Sequence, residues 1–174
     1  AKLGNDYYAS LQAAVDAAKD GDVIYLTTDC AQNVTIKQTE GMNYVIDGQN
    51  NKFSGTIYIH GNARYKGAET LTIKNVNFYT YDEAHDFITY AVKASNVHNL
   101  LVEDCTFTGP EYQTAVRCVV IRSANKVTVR NCTATNVFNL VQNVSGSKNI
   151  TVEGCTVDAM YGVNLGNAGG TNIV

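Results

Sequence analysis

The sequence predicts an all-β chain wound as a right-handed parallel β-helix, a solenoid of about six coils with an N-terminal capping α-helix. Three observations carry this. First, a unit recurs: Leu71-Thr72-Ile73-Lys74-Asn75-Val76-Asn77-Phe78, Leu100-Leu101-Val102-Glu103-Asp104-Cys105-Thr106-Phe107, Val127-Thr128-Val129-Arg130-Asn131-Cys132-Thr133-Ala134 and Ile150-Thr151-Val152-Glu153-Gly154-Cys155-Thr156-Val157 share one order of residue types. A degenerate copy stands at Tyr44-Val45-Ile46-Asp47-Gly48, and another begins at Asn172-Ile173-Val174. The starts at 44, 71, 100, 127, 150 and 173 step by 27, 29, 27, 23 and 23 residues, a period that signals stacked repeats. Second, apolar residues alternate with Thr, Lys, Arg or Glu inside each copy, the period of a half-buried strand. Third, turn formers such as Ser123-Ala124-Asn125-Lys126 and Ser145-Gly146-Ser147-Lys148-Asn149 separate each copy from a preceding apolar run. Strand, turn, strand, bend and return in about 23 residues describe one lap of such a solenoid. A leucine-rich horseshoe has a comparable period, but it needs Leu-dominated copies and a helical segment in each. The right hand follows from the general preference of parallel crossovers.

Taken in order, residues 1–9 show no clear period. From Ser10 to Asp20 the pattern is helical, with Leu11, Ala14, Val15 and Ala18 on one face and Gln12, Asp16 and Lys19 on the other. Ser10, or Asp6 a turn earlier, is the N-cap candidate, and Gly21 is the expected stop. This helix is expected to cover the first coil, whose strand edges and core would otherwise meet water. Coils then occupy 23–174 within a single domain of residues 1–174. Val23-Ile24-Tyr25-Leu26, Asn33-Val34-Thr35-Ile36 and Thr56-Ile57-Tyr58-Ile59 read as strands, and an excursion follows from Gly61 to Thr70. Inside each unit the charged position faces outward, while the apolar positions and the Cys (Val76 in one copy) face inward. The Asn, Asp or Gly before that Cys suits a left-handed bend. Because the last unit breaks off inside a strand, the expectation is a fragment of a longer extracellular or cell-surface protein. That end either continues into further coils or self-associates.

Composition narrows the partners. A net charge of −3 with no basic stripe argues against nucleic acid. No stretch reaches membrane-spanning length, and no signal peptide is evident. Of the five cysteines, Cys105, Cys132 and Cys155 hold one place in successive coils. They are expected to form an inward column of buried thiols rather than a disulfide or a metal site, since side chains stacked in one direction have poor disulfide geometry. Cys30 and Cys118 have no assigned partner.

The stretch Leu11-Gln12-Ala13-Ala14-Val15-Asp16-Ala17-Ala18-Lys19-Asp20-Gly21-Asp22-Val23-Ile24 resembles the opening of pectate-lyase-like right-handed β-helix domains, in which an amphipathic helix runs into the first strand. The later coils, Lys126 to Ala134 and Asn149 to Val157, are similar to coils of that superfamily, so the resemblance covers nearly the whole chain. It implies a fold more than an activity, because the superfamily includes polysaccharide lyases, glycoside hydrolases, esterases, phage tailspikes and non-enzymatic adhesive modules. Its inverting hydrolases use an adjacent Asp pair among their carboxylates, and this chain has no Asp-Asp. Its lyases need Ca²⁺-holding acids with a basic residue beside them. Here the outward positions Lys74, Glu103, Arg130 and Glu153 alternate in sign, which favours a salt-bridged face. Its esterases carry an Asp-Phe-Ile-Phe-Gly stretch. Asp86-Phe87-Ile88 matches three positions and then departs to Thr89-Tyr90.

No catalytic residue is therefore assigned, and neither a cofactor nor a metal is expected. Insertions on a solenoid gather on the binding face. The long returns place Tyr79, Tyr81, Asp82, Glu83, His85 and Asp86 in one coil, and Glu111, Tyr112 and Arg117 in the next. In register, these are neighbours. Aromatic faces stack on sugar rings and carboxylates bond to hydroxyls, so the candidate partner is a glycan or host- or cell-surface ligand. The bland alternative is a solvated acidic loop. Asp82, Glu83, His85 and Asp86 lack the ordered spacing of a Ca²⁺ loop. His60 and His98 read as surface residues beside turns, and the Asn-x-Thr/Ser triplets at Asn33, Asn131, Asn143 and Asn149 as by-products of the repeat. The expected function is an extracellular, non-enzymatic module that is adhesive, glycan-contacting or structural. The alternative is a polysaccharide-degrading lyase or glycoside hydrolase, or a tailspike-like fragment.

Overall fold

A computed structural model describes residues 1–39, 42–62, 70–79, 89–110, 116–166 and 169–173. Its strands form three sheets. The nine-stranded sheet runs Asp6–Tyr7, Lys2–Leu3, Asp22–Tyr25, Tyr44–Asp47, Leu71–Lys74, His98–Glu103, Asn125–Arg130, Lys148–Glu153 and Gly169–Ile173. The five-stranded sheet holds Lys52–Phe53, Asn77–Tyr79, Thr106–Thr108, Thr133–Val137 and Thr156–Ala159, and the six-stranded sheet holds Val34–Lys37, Ile57–His60, Thr89–Ser95, Val116–Arg122, Asn139–Ser145 and Val163–Asn164. Each lap visits the nine-, the five- and the six-stranded sheet in turn, and neighbouring laps pair in parallel. The result is a parallel β-solenoid of about four turns, a small difference from the six coils expected. The end laps are thin: Lys52–Phe53 and Val163–Asn164 are two-residue strands, and Cys30 contributes only a bridge to Phe53.

Alternation fixes what lies inside. Ile24, Ile46, Ile73, Val102, Val129 and Val152 are successive register partners on the nine-stranded sheet, and all are buried. On the five-stranded sheet Phe53, Phe78 and Phe107 form a ring column that narrows to Ala134 and Val157. The Phe53–Phe78 rings meet edge to face at 5.5 Å, and Phe78–Phe107 stack at 5.0 Å. A one-residue slip would turn every one of these side chains to water, which is why the register is held along the rod.

The bend before each inward Cys or Val is left-handed, at Asn75 (φ 52°), Asp104 (φ 52°), Asn131 (φ 53°) and Gly154 (φ 59°). Asn and Asp tolerate that region better than other side chains. Beyond the bend Val76, Cys105 and Cys132 are buried, while Cys155 is half-buried in the last full lap. The thiols of Cys105, Cys132 and Cys155 donate to the carbonyls of Glu103, Arg130 and Glu153 at 3.2, 3.2 and 3.3 Å. All five cysteines are free. Contact with the Cys105 thiol, together with burial, holds Cys132 at about 12. Its hydrogen bond to Cys132 and burial push Cys155 up, and burial pushes Cys118 up. These groups are therefore protonated and poorly nucleophilic.

The N-terminal end departs from expectation in two ways. Residues without a sequence period form an antiparallel hairpin, Lys2–Leu3 with Asp6–Tyr7, and Lys2–Leu3 also pairs antiparallel with Asp22–Tyr25. That covers the edge of the nine-stranded sheet. The helix spans Leu11–Ala17 rather than 10–20, with the Ser10 hydroxyl accepting from the Ala13 N–H at 3.0 Å. It stops four residues before Gly21 because the following backbone is committed elsewhere. The Lys19 N–H donates to the Asp22 carboxylate at 2.7 Å, and the Gly21 N–H donates to the Asn43 carbonyl at 2.6 Å. Leu11 and Ala14 face the core. On the outer side the Gln12 amide accepts from the Thr35 N–H at 2.7 Å and donates to the Thr35 carbonyl at 2.9 Å. One side chain thus imitates a strand at the edge of the six-stranded sheet.

Candidate functional site

Two surfaces emerge among the described residues. The first is the outer face of the nine-stranded sheet. Asp47, Lys74, Glu103, Arg130 and Glu153 are successive register partners, so the alternating charges expected from sequence form one ladder. Lys74 Nζ lies 3.6 Å from the Asp47 carboxylate. Arg130 donates from Nε and Nη2 to one Glu103 oxygen at 2.8 and 2.6 Å. The hydrogen bond and charge of Glu103 raise Arg130 further above its ordinary value. Burial raises Asp47, but the Gln49 N–H, the Asn75 amide and the Lys74 charge outweigh it, and the net shift is downward. Along this ladder a trough of about 710 Å³ is lined from four successive laps, from Thr70 to Glu153. Its floor and walls offer the hydroxyls of Thr128 and Thr151, the amides of Asn99 and Asn149, and the charges of Lys126, Arg130 and Glu153. A surface of that kind suits a hydroxyl-rich ligand through many modest polar contacts.

The second surface is the corner where the five-stranded sheet hands over to the six-stranded one. Of the sequence-derived candidates, Tyr81, Asp82, Glu83, His85, Asp86, Glu111 and Tyr112 lie outside the described residues. Tyr79 ends the strand Asn77–Tyr79, and its ring takes Lys52 Nζ at 4.2 Å from the centroid. Arg117 lies near the start of Val116–Arg122, its guanidinium 4.4 Å from the Phe138 ring centroid. Tyr79 pairs with Thr108, and Tyr90 pairs with Arg117. The chain therefore leaves and re-enters the sheets on adjacent rungs in both coils that carry long returns.

Sequence reasoning missed the residues above Arg117. Phe138 meets Tyr161 edge to face at 4.9 Å, and Tyr161 is 58% exposed. Asn139, the register partner of Arg117, is fully buried, yet neither its Nδ2 nor its Oδ1 has a hydrogen-bond partner. Thr89 Oγ1 and Arg117 Nη1 are likewise buried and unpaired. The available signal was a polar residue breaking the run Phe138-Asn139-Leu140-Val141.

The remaining motifs are structural where they are described. Gln38 makes the same two-way amide contact as Gln12: the His98 N–H donates to Gln38 Oε1 at 2.8 Å, and Gln38 Nε2 donates to the His98 carbonyl. Asn33 Oδ1 accepts from the Thr56 N–H, and buried Asn143 donates to the Leu165 carbonyl, so both side chains are engaged in the rod. No group of three or more His, Cys, Asp or Glu side chains is placed to hold a metal among the described residues. No helix among them is long and apolar enough to cross a membrane. Compared with protein-family models, curated proteins and solved structures, the chain finds no match in any of the three.

Proposed function

We propose that the chain is a non-enzymatic module of an extracellular or cell-surface protein, a rigid rod whose outer face contacts a glycan. Membership of the pectate-lyase-like superfamily is part of this reading, and so is self-association or continuation at the end that carries Gly169–Ile173. The observation that carries it is the trough of about 710 Å³ on the nine-stranded sheet. Its lining of threonine hydroxyls, asparagine amides and alternating charges suits a polar polymer lying across successive coils. The outward charges Asp47 with Lys74 and Glu103 with Arg130 are ion-paired. Held in these pairs, the two carboxylates brace the sheet, and the trough itself is lined by Arg130 and Glu153.

The test is a glycan array followed by titration calorimetry on the strongest hit. Lys126→Ala combined with Thr151→Ala is expected to weaken that hit about tenfold or more, the loss of one or two good polar contacts. Thr108→Ala, on the five-stranded sheet, is expected to leave it unchanged. Tyr81→Ala with Tyr112→Ala reports separately on the long returns. Release of reducing or unsaturated sugars from acidic polysaccharides would overturn the non-enzymatic reading, and an array without hits would remove glycan contact.

A further inference from the structure

The six-stranded sheet has a charge pattern that neither the rod nor the trough explains. Its strands hold Lys37, Lys93, Arg117 and Arg122 and not one Asp or Glu, in a chain whose net charge is −3. These cations come from three separate strands, so the sequence itself shows no basic stripe. Lys37, His60, Ser95, Arg122 and Ser145 are successive register partners along one outer rank. At Arg122 a β-bulge interrupts the pairing with the next lap. Ile121 pairs with Asn143 and Arg122 with Ser145, which leaves Val144 without a partner. That extra residue is 50% exposed. Bulges re-aim side chains and are over-represented next to active sites. Here the bulged Val144 lines a cavity of about 250 Å³ together with Tyr90, Lys93, Ser95, Val120 and Arg122. Arg122 and Val144 are exposed, so the cavity opens to solvent between two laps.

Lys93 and Arg122 have no carboxylate partner among the described residues. Lys93 Nζ lies 4.6 Å from the Tyr90 ring centroid, a contact that holds an ammonium in place without neutralising it. We propose that this cavity binds a phosphate monoester carried on a sugar. Such a group brings a charge of about −1.5 to −2 and three strong acceptor oxygens. The two uncompensated cations and the Ser95 hydroxyl match it in both respects. A carboxylate or a sulfate ester brings a single charge and leaves one cation unanswered. Val120 and Val144 supply an apolar wall for the C–H edge of the sugar ring. At about 250 Å³ the cavity falls below the range of drug-sized ligands, so it takes one phosphorylated unit rather than a longer segment. The choice of a sugar as carrier rests on the glycan reading, whereas the phosphate site rests on the cavity alone. It lies on a different sheet from the trough, so either site can fail without the other.

Titration calorimetry and thermal shift at matched ionic strength test the assignment. The probes are glucose phosphorylated on its primary hydroxyl, glucose sulfated there, glucuronate and O-phosphoserine. The sugar phosphate is expected to raise the melting temperature and to bind about tenfold or more tighter than the sugar sulfate or glucuronate. Arg122→Gln and Lys93→Gln are each expected to weaken it about tenfold, and Lys93→Arg to keep part of the affinity. Val144→Asp sets a negative charge at the rim and is expected to abolish binding. Because that position is exposed, the melting temperature of the free variant should stay near that of wild type. Lys126→Ala with Thr151→Ala, in the trough, is expected to change nothing, which separates this site from the glycan contact proposed there. Glucuronate or the sugar sulfate binding as tightly as the sugar phosphate would overturn the phosphate assignment. Equal binding of O-phosphoserine would overturn the sugar carrier. Absence of binding, or binding indifferent to Arg122→Gln in a variant that still unfolds cooperatively, would overturn the proposal as a whole.

Discussion

Replacing Phe78 by alanine probes whether the laps truly share one interior. Phe78 is 1% exposed and is the middle ring of three, 5.5 Å from Phe53 and 5.0 Å from Phe107. Its removal takes away a fully buried ring and leaves a cavity that two neighbouring coils line. Core Phe→Ala changes cost about 3–5 kcal/mol. Each ring contact contributes about 0.5–1.5 kcal/mol, part of which that range already contains. A loss of about 4 kcal/mol is a large share of the roughly 5–15 kcal/mol that holds a domain together. The chain lacks tryptophan, so urea unfolding is followed by far-ultraviolet circular dichroism and tyrosine fluorescence. With a slope of about 2 kcal/mol per molar urea, the midpoint should fall by about 2 M. The control is Thr108→Ala, an exposed neighbour of Phe107 on the outward side, which should stay within about 0.5 kcal/mol. A midpoint drop for Phe78→Ala below about 0.5 M, or one no larger than that of the control, would refute the stacked interior.

Gly109 lies against the turn of the next lap, where an added Cβ would sit 1.9 Å from the Asn136 carbonyl oxygen. Gly109→Ala is therefore expected to cost about 1–3 kcal/mol in thermal unfolding, because the obstacle is backbone and must shift. Gln12→Ala removes both hydrogen bonds to Thr35. A loss of about 1–2 kcal/mol and faster hydrogen exchange at the Thr35 amide are expected, with Gln12→Glu also impaired because a carboxylate cannot donate to the carbonyl. Asp47 is held below its ordinary value, so its contribution is complete above the unfolded-state value and disappears as pH falls through the lower folded-state value. Wild type should lose stability in that acid window relative to Asp47→Asn, and parallel stability–pH curves would contradict the hold that the Gln49 N–H, the Asn75 amide and the Lys74 charge together have on this carboxylate. High salt should shrink the difference, since the Lys74 side chain is 34% exposed.

What the sequence by itself determined is everything set by a period of two and a lap of fixed length. Those two rules place Ile73, Val102, Val129 and Val152 in one buried column and Lys74, Glu103, Arg130 and Glu153 in one outward ladder. They also put a left-handed residue at Asn75, Asp104, Asn131 and Gly154. All are local consequences of alternation repeated in register. The tertiary structure alone decided what joins unlike parts of the chain. The hairpin of Lys2–Leu3 and Asp6–Tyr7 has too few residues for a periodic signal, and it exists because the sheet edge at Asp22–Tyr25 needs partners. The helix ends at Ala17 because Lys19 and Gly21 bond to Asp22 and to the next coil, a competition invisible in helix-forming residues alone. Gln12 and Gln38 find their partners 23 and 60 residues away. The meeting of Arg117, Phe138, Asn139 and Tyr161 likewise comes from three different laps. Sequence spacing fixes how laps stack, but side chains at the corners are free to reach along the rod, and only the assembled coils fix which of them touch.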